Sequence, residues 1–330
     1  MYSLEWVILV VIFALIFDYI NGFHDTANAI ATSVSTKAVS PRVAILIAAT
    51  FNFLGALSGT AVANTIGKNI VAPNDVVPLV IIAALSGAIL WNLITWYFGI
   101  PSSSSHALIG GLIGAVIARS GSPAVLWQGF IKILAGLISS PIIGLVMGSL
   151  VMTLLFWIFR GSSPVKTNLK FRRLQILSAC TASFAHGSND AQKSMGIITL
   201  SLLSAGMIHT FYVPLWVKIA CAVAMSAGTA MGGWRIIRTM GGKIFRIEPI
   251  NGFAADFTSS AVIYGASMLG VPVSTTHVVS SSIMGVGAAK RLKGVRWNIA
   301  RQIIIAWFVT IPSSGLVALI CYRLLSMLQL

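Results

Sequence analysis

Two similar motifs, one in each half of the chain, place an aspartate among small and polar residues. The first is Gly22-Phe-His-Asp25-Thr-Ala-Asn28 and the second is Gly187-Ser-Asn189-Asp190-Ala-Gln-Lys193. Both lie within or against apolar segments, where an ionisable side chain costs at least about 2.5 kcal/mol and therefore indicates function. Asp25 and Asp190 are candidates for binding a ligand or carrying a proton. The alternative is structural, with each carboxylate capping a broken helix or pairing with Lys193.

Two further acids, Asp18 and Asp256, also lie in apolar segments but have no acidic counterpart in the other half. For them the functional and the structural interpretations stay equally open.

Two clusters of hydroxyl side chains also occupy equivalent positions in the two halves. Each follows a proline and precedes a histidine and an apolar helix pattern, in Pro101-Ser-Ser103-Ser104-Ser105-His106 and Pro272-Val-Ser274-Thr275-Thr276-His277. This pattern predicts a helix start with hydroxyl caps. Exposed N–H groups at such a start bind anions, so two facing starts would form a cage rich in donors. Alternatively, the hydroxyls only bond helix to helix.

Other side chains of the two motifs add to these candidates. Asn28 and Asn189 carry amides suited to an anion or to sodium. Lys193 stands where the first half has Asn28, and it could complement an anion or neutralise Asp190. His106 and His277 could relay protons or orient a ligand, or they could be buried histidines bonded to the backbone.

The composition places these residues in a membrane. Of the 330 residues, 57% are hydrophobic and 9% charged, and the mean hydropathy is +0.91. Soluble domains average about 45–50% apolar and about 25% charged residues. Apolar runs of nearly 20 residues recur along the chain, which predicts an all-α polytopic membrane protein with about 10–12 membrane segments. The three cysteines lie far apart in apolar runs and predict neither a disulfide framework nor a metal site.

The motifs divide the chain into two repeats, residues 1–160 and 174–330, joined by a basic cytoplasmic linker, 161–173. Most of the 22 Lys and Arg lie in four segments: 37–42, 160–173, 235–246 and 290–296. This bias marks cytoplasmic loops and explains the net charge of +15 without nucleic acid. Equivalent loops carry opposite bias, which predicts inverted-topology repeats with both termini outside. The stretches from each hydroxyl cluster to the next loop are short for an ordinary span, which favours re-entrant hairpins or broken helices. At Ser139-Ser140-Pro141 a helix is expected to be kinked or interrupted.

These motifs together resemble the inorganic phosphate transporter (Pit) family, over essentially the whole chain. The segments Gly233-Trp-Arg-Ile-Ile-Arg238 and Gly252-Phe-Ala-Ala-Asp256 are similar to that family as well. The resemblance implies a phosphate symporter of inverted-repeat fold, dimeric, with phosphate between the hydroxyl clusters and the Asp motifs.

Two departures resemble the bacterial low-affinity branch of that family, usually described as proton-coupled. Asn52 stands where sodium-coupled relatives tend to carry Glu, and Gln192-Lys193 replaces an Ala-Asn pair. The resemblance therefore favours H⁺ over Na⁺ as the coupling ion, with phosphate carried as a divalent-metal complex. The expected coupling residues are Asp25, Asp190, His106, His277 and Asn52. In the sodium alternative, the ion would lie near Asp25, Asn28 and Asp190, and no other metal or cofactor is expected.

The expected function is import of inorganic phosphate across the cytoplasmic membrane by alternating access. Substrate would be bound by Asp25, Asn28, Ser103, Ser104, Ser105, Asn189, Asp190, Lys193, Ser274, Thr275 and Thr276. An acid next to an anion is favoured in its protonated form, so proton and substrate binding become linked. The expected partners are phosphate, membrane lipid and a second copy of the chain.

Two other functions would also use these residues. A sulfate permease on the same scaffold differs in its substrate, since sulfate has no proton to donate to a carboxylate near neutral pH. An intramembrane enzyme using Ser105 and His106 is disfavoured because no Gly-x-Ser-x-Gly turn is present and the serine cluster is duplicated.

Overall fold

The computed structural model describes residues 4–70 and 77–328, so Asp75 lies outside the described residues. Within these ranges the regular structure is helical, as the composition predicts. The α-helices are α1 Leu4–Ser35, α2 Pro41–Leu57, α3 Ala61–Asn69, α4 Pro78–Phe98, α5 Ser104–Ser120, α6 Trp127–Phe159, α7 Pro164–Ser204, α8 Leu215–Met231, α9 Trp234–Arg238, α10 Pro249–Met268, α11 Thr275–Lys290 and α12 Trp297–Met327.

Four of the described helices, α1, α4, α6 and α12, are long and apolar enough to cross a membrane. Two bent pairs, α2 with α3 and α8 with α9, each form a further candidate span with a bend of 68° or 61°. The two pairs lie at equivalent places in the two halves. The segments after the hydroxyl clusters, where re-entrant hairpins or broken helices are expected, form the short helices α5 and α11. Against the 10–12 expected membrane segments, the described residues contain four helices that could each span a membrane, or six spans if each bent pair counts as one.

Two local expectations need correction. Residues 127–159 form one helix, α6, so Pro141 does not interrupt it. Its counterpart, Pro312, likewise lies inside α12. A proline removes one hydrogen bond from a helix, and in both places the helix continues past this loss. Residues 164–173 of the basic linker form the beginning of α7 rather than a loop.

The two repeats interlock. Helix α5 of the first half packs on α12 of the second, and α11 of the second packs on α6 of the first. In the same way α1 packs on α8, and α7 packs on α2. The described residues form two hydrophobic cores, and each core contains residues from both halves. Each packing pair has a counterpart with the halves exchanged, which is the arrangement of two repeats related by a two-fold axis.

Helices α1 and α7, which carry the two Asp motifs, run in opposite directions. Near one end Thr36 donates a hydrogen bond of 2.6 Å to Gln175, and near the other end Asp18 lies beside Ser194. Between these levels, Asp25 and Asp190 lie close together. Equivalent helices of opposite direction are what the charge bias predicts for inverted repeats.

Candidate substrate and coupling site

Glycines bring the motif helices into close contact with their neighbours. A Cβ on Gly22 would lie 2.3 Å from the Met225 carbonyl oxygen of α8, and one on Gly187 would lie 2.1 Å from the Asn52 carbonyl oxygen of α2. No side chain fits at such distances, so only glycine permits these crossings. The crossings hold the following residues, Asp25 and Asp190, at fixed positions in the interior.

The starts of α5 and α11 face the two aspartates. Ser103 and Ser274 are the N-cap residues, and their hydroxyls accept hydrogen bonds from the backbone N–H of His106 at 3.2 Å and of His277 at 3.3 Å. The predicted helix starts are therefore present. Since Ser103 and Ser274 serve as caps, the hydroxyls that point to the carboxylates are those of the following residues.

Asp25 accepts hydrogen bonds from both halves. Ser104 donates to its Oδ2 at 3.1 Å, and Thr276 donates to its Oδ1 at 3.2 Å. The ring Nδ1 of His24 lies 2.6 Å from Oδ1. The side chain of Asp25 is buried, with 2% of the residue exposed.

Asp190 has a different set of neighbours. Thr275 donates to its Oδ2 at 2.9 Å, and Lys193 contacts its Oδ1 through its ammonium group. His186 Nε2 lies 3.1 Å from Oδ2. Asp190 is therefore balanced by a lysine within its own helix, whereas Asp25 has no such partner among the described residues.

Lys193 is buried and fully engaged. Besides Asp190, its Nζ donates to the Ser105 hydroxyl at 2.5 Å and to the Val273 carbonyl at 3.3 Å. Ser105 donates in turn to the same carbonyl, at 3.1 Å. Of the two roles considered for Lys193, neutralising Asp190 is the one that this conformation displays.

The two asparagines have free acceptor oxygens, but only Asn28 contacts the hydroxyls that bond the carboxylates. Asn28 donates to Thr276 at 2.9 Å and to Thr275 at 3.3 Å. Asn189 donates to Ser267 at 2.9 Å. The Oδ1 atom of each amide is buried and has no hydrogen-bond partner in the described structure.

The two histidines expected to take part in coupling lie apart from the carboxylates. The rings of His106 and His277 contact each other, tilted by 34° with centroids 4.5 Å apart, and His277 stacks on Trp307 at 4.0 Å. Both line an apolar cavity of about 340 Å³ between α6 and α12. His106 Nδ1 is bonded to Ser103 at 2.8 Å, so the observed contacts of this pair are with each other and with the caps.

His24 and His186 are the histidines that contact the aspartates, although neither is among the expected site residues. The sequence carries a signal for both, because His24 directly precedes Asp25 and His186 lies four residues before Asp190 on one face of a helix. Asn52 lies behind His186, whose Nδ1 is 3.0 Å from its Oδ1, and it donates to Thr229 at 2.9 Å. Asn52 therefore reaches Asp190 only through a histidine.

A cation could be held at the centre of this cluster. One ligand atom each from Asp25, His186 and Asp190 lies within 4.8 Å of the others, and all three residues are buried. Carboxylate oxygens suit a hard cation, and the ammonium group of Lys193 already contacts one of them. A sodium site near Asp25, Asn28 and Asp190 stays a prediction.

The two acids without an acidic counterpart in the other half, Asp18 and Asp256, lie on either side of this cluster. Asp256 of α10 accepts hydrogen bonds from Thr32 of α1 at 2.7 Å and from Ser178 of α7 at 3.0 Å. Asp18 of α1 lies beside Ser194 and Cys221.

The fold defines a multi-pass helical membrane protein, and its buried polar cluster contains two aspartates at the crossing of two antiparallel helices. The chain belongs to the phosphate transporter family, whose model matches residues 21–170 and 160–318. This finding confirms the family expected from the motifs.

Individual relatives agree. The chain is 55% identical over 325 residues to a probable low-affinity inorganic phosphate transporter of Bacillus subtilis (strain 168), covering 97% of each chain. It is 46% identical over 320 residues to a protein of the same description from Mycobacterium tuberculosis (strain ATCC 25618 / H37Rv), covering 96% of this chain and 77% of that one. A solved structure described as the sodium-dependent phosphate transporter superposes with a TM-score of 0.88 at 26% identity, over 98% of this chain and 100% of that chain.

Proposed function

We propose that this protein imports inorganic phosphate across the cytoplasmic membrane as a symporter driven by the proton gradient. One observation carries the proposal: two buried carboxylates meet where α1 crosses α7, and hydroxyls from the starts of α5 and α11 converge on both. Membership in the phosphate transporter family supports the substrate.

The site offers what a phosphate ion needs in order to leave water. Burial of a charged group is costly unless hydrogen bonds replace its hydration. The hydroxyls that now bond the carboxylates can turn to the anion, together with N–H groups at the two helix starts. The proposed donors at the starts of α5 and α11 are the hydroxyls of Ser103, Ser104, Ser105, Ser274, Thr275 and Thr276. The amides of Asn28 on α1 and Asn189 on α7 are the other proposed donors.

A carboxylate next to an anion can serve selection as well as coupling. An ionised Asp25 accepts the P–OH hydrogen of hydrogen phosphate, and sulfate offers no such hydrogen. A protonated Asp25 donates to a phosphate oxygen. Because the protonation state of Asp25 changes the affinity of the site for phosphate, proton binding and phosphate binding are coupled.

The asymmetry of the site favours Asp25 as the group that gains and loses the coupling proton. Lys193 already balances the charge of Asp190. In this proposal Lys193 stays paired during binding and contributes a positive field to the anion. Sodium at the ligand set of Asp25, Asn28 and Asp190 is the alternative coupling ion. His106 and His277 support the helix starts, and Asn52 holds His186.

The same proposal places the protein as follows. It lies in the plasma membrane with both termini outside, surrounded by lipid, and it acts as a homodimer in which each chain moves one repeat bundle against the other. Phosphate enters as the free ion or as a neutral divalent-metal complex, and the chain catalyses no covalent chemistry.

The test uses the full chain in proteoliposomes. Uptake of labelled phosphate is measured with a proton gradient alone and with a sodium gradient alone, for the unmodified protein and for Asp25→Asn and Asp190→Asn. Glu5→Gln, an exposed acid on α1, is the matched control. We expect proton-driven uptake that collapses in both site variants and persists in the control. Normal coupled uptake in both site variants would contradict the mechanism.

Two further measurements separate the alternatives. Excess sulfate should leave phosphate uptake unchanged, and strong competition would favour a sulfate permease. A serine-directed reagent should label no serine stoichiometrically. A stoichiometric acyl- or phosphoryl-enzyme would favour the enzyme instead.

A further inference from the structure

Asp18 is a buried acid that the site described above does not use. It lies on α1 seven residues before Asp25, which is about 10 Å along the helix axis and nearly the same face. The residue is 0% exposed, and neither of its carboxylate oxygens has a hydrogen-bond partner within the described structure. Its polar neighbours are the Ser194 hydroxyl of α7 and the Cys221 thiol of α8.

A carboxylate in such a place must hold either a proton or a cation, because a buried charge without partners has a large free-energy cost. The ligands favour a proton. A hard cation prefers several oxygen atoms, and Asp18 has one hydroxyl and one thiol beside it. The facing charged groups are Asp190 and Lys193 of α7, which pair with each other. The other elements packed on α1 bring no further titratable group to Asp18 in the described part of the chain.

Buried polar side chains also lie along α1 between Asp18 and the central site. Asn21 lies on the same face of α1, between Asp18 and Asp25. One turn after it, His24 Nε2 is 3.1 Å from the Thr95 hydroxyl of α4, and one turn before Thr95 lies Asn92. Asn21 and Asn92 are both 0% exposed, and all four amide atoms have no hydrogen-bond partner among the described residues. Buried amides of this kind are sites where water can bridge between polar groups.

We propose that Asp18 is a proton-binding site that supplies the coupling proton to Asp25. The proton leaves the Asp18 carboxyl and passes through water held by Asn21 to the Asp25 carboxylate. Asp18 becomes a carboxylate and is reprotonated from the side of the membrane that the start of α1 faces. The inference rests on the proposed proton coupling and adds a group outside the phosphate site.

This role separates two activities of one protein. Net uptake driven by a pH gradient requires protons to pass Asp18. Exchange of labelled for unlabelled phosphate at equal pH moves no net proton and requires only the central site. An Asp18→Asn variant should therefore lose the first activity and keep the second, which a merely structural residue would not do.

The experiment measures both activities in proteoliposomes for the unmodified chain, Asp18→Asn, Asp18→Glu and the control Glu5→Gln. For Asp18→Asn we expect driven uptake to fall by about tenfold or more, as for loss of a proton-transfer group, with exchange within about twofold of the unmodified rate. Asp18→Glu, which keeps a carboxyl, should recover most of the driven uptake. Glu5→Gln should match the unmodified chain in both assays.

Two results would overturn the inference. One is driven uptake that is unchanged in Asp18→Asn. The other is loss of exchange in both Asp18→Asn and Asp18→Glu, since that pattern means that the position serves packing. Failure of the proposed function looks different, because the unmodified protein itself would then show no proton-driven phosphate uptake.

Discussion

The two half-sites are built from equivalent residues but differ in charge balance. In the first, Asp25 is bonded by two hydroxyls and a histidine, and Asn28 leaves its amide oxygen free. In the second, Lys193 occupies the place of Asn28 and pairs with Asp190. The two carboxylates thus occupy equivalent positions, and the pairing of Asp190 with Lys193 makes them unequal in charge. In the proposed mechanism, only the half with Asp25 exchanges the coupling ion.

The largest expected effect, on both stability and uptake, comes from removing the lysine of the buried Lys193–Asp190 pair. Lys193→Met leaves Asp190 as an uncompensated buried charge, which costs about 3–5 kcal/mol of stability. We expect a large loss of thermal stability in detergent together with loss of phosphate uptake. The control is Lys290→Met, which breaks the half-exposed pair with Glu248 at 2.8 Å and should cost about 0–1 kcal/mol. Equal stability losses in the two variants would contradict the assigned difference between the pairs.

The next effect concerns the two histidines. His24→Gln removes the ring beside Asp25, and hydrogen bonds to charged groups contribute about 1.5–3 kcal/mol, so uptake should fall by about 10- to 100-fold. His186→Gln should fall by less, because Asp190 keeps its contacts with Lys193 and Thr275. His209→Gln, at an exposed position in the segment between α7 and α8, provides the matched control. The comparison would need revision if His186→Gln were the more severe variant in the initial rate of uptake.

The smallest effect is one in which the halves should behave alike. Ser103 and Ser274 cap α5 and α11 through equivalent hydrogen bonds, and loss of an N-cap costs about 0.5–2 kcal/mol. Ser103→Ala and Ser274→Ala should therefore lower the unfolding temperature by similar amounts and leave the preference for a proton gradient unchanged. A change of coupling ion in either variant would show that the caps do more than hold the helices.

Much of the fold could be predicted from the sequence, because membrane helices depend on apolar length and the repeats share motifs. The helix starts at Ser103 and Ser274 followed from a proline and capping hydroxyls. The interruption expected at Pro141 does not occur, because the loss of one hydrogen bond does not by itself end a helix as long as α6. The interlocked packing of α5 on α12 had no local signal, since it depends on contacts between distant segments.

The site was predictable in part for the same reason. The Asp motifs and hydroxyl clusters converge as the repeat pattern indicates. The contact of His186 with Asp190 was predictable as a same-face pair at i and i+4. The meeting of His106 with His277 was not, since it depends on how two distant helices pack. His106 and His277 meet each other, as counterparts near a two-fold axis do, while His24 and His186 turn toward the aspartates. The Lys193–Asp190 pair was predictable as a contact at i and i+3.

The most direct test compares Asp25→Asn with the double variant Asp190→Asn/Lys193→Met in proteoliposomes. The double variant removes the buried pair together, so no unpaired charge remains. The account predicts that uptake driven by a pH gradient is lost in Asp25→Asn and persists at a reduced rate in the double variant. Proton-driven uptake that persists in Asp25→Asn and disappears in the double variant would contradict it.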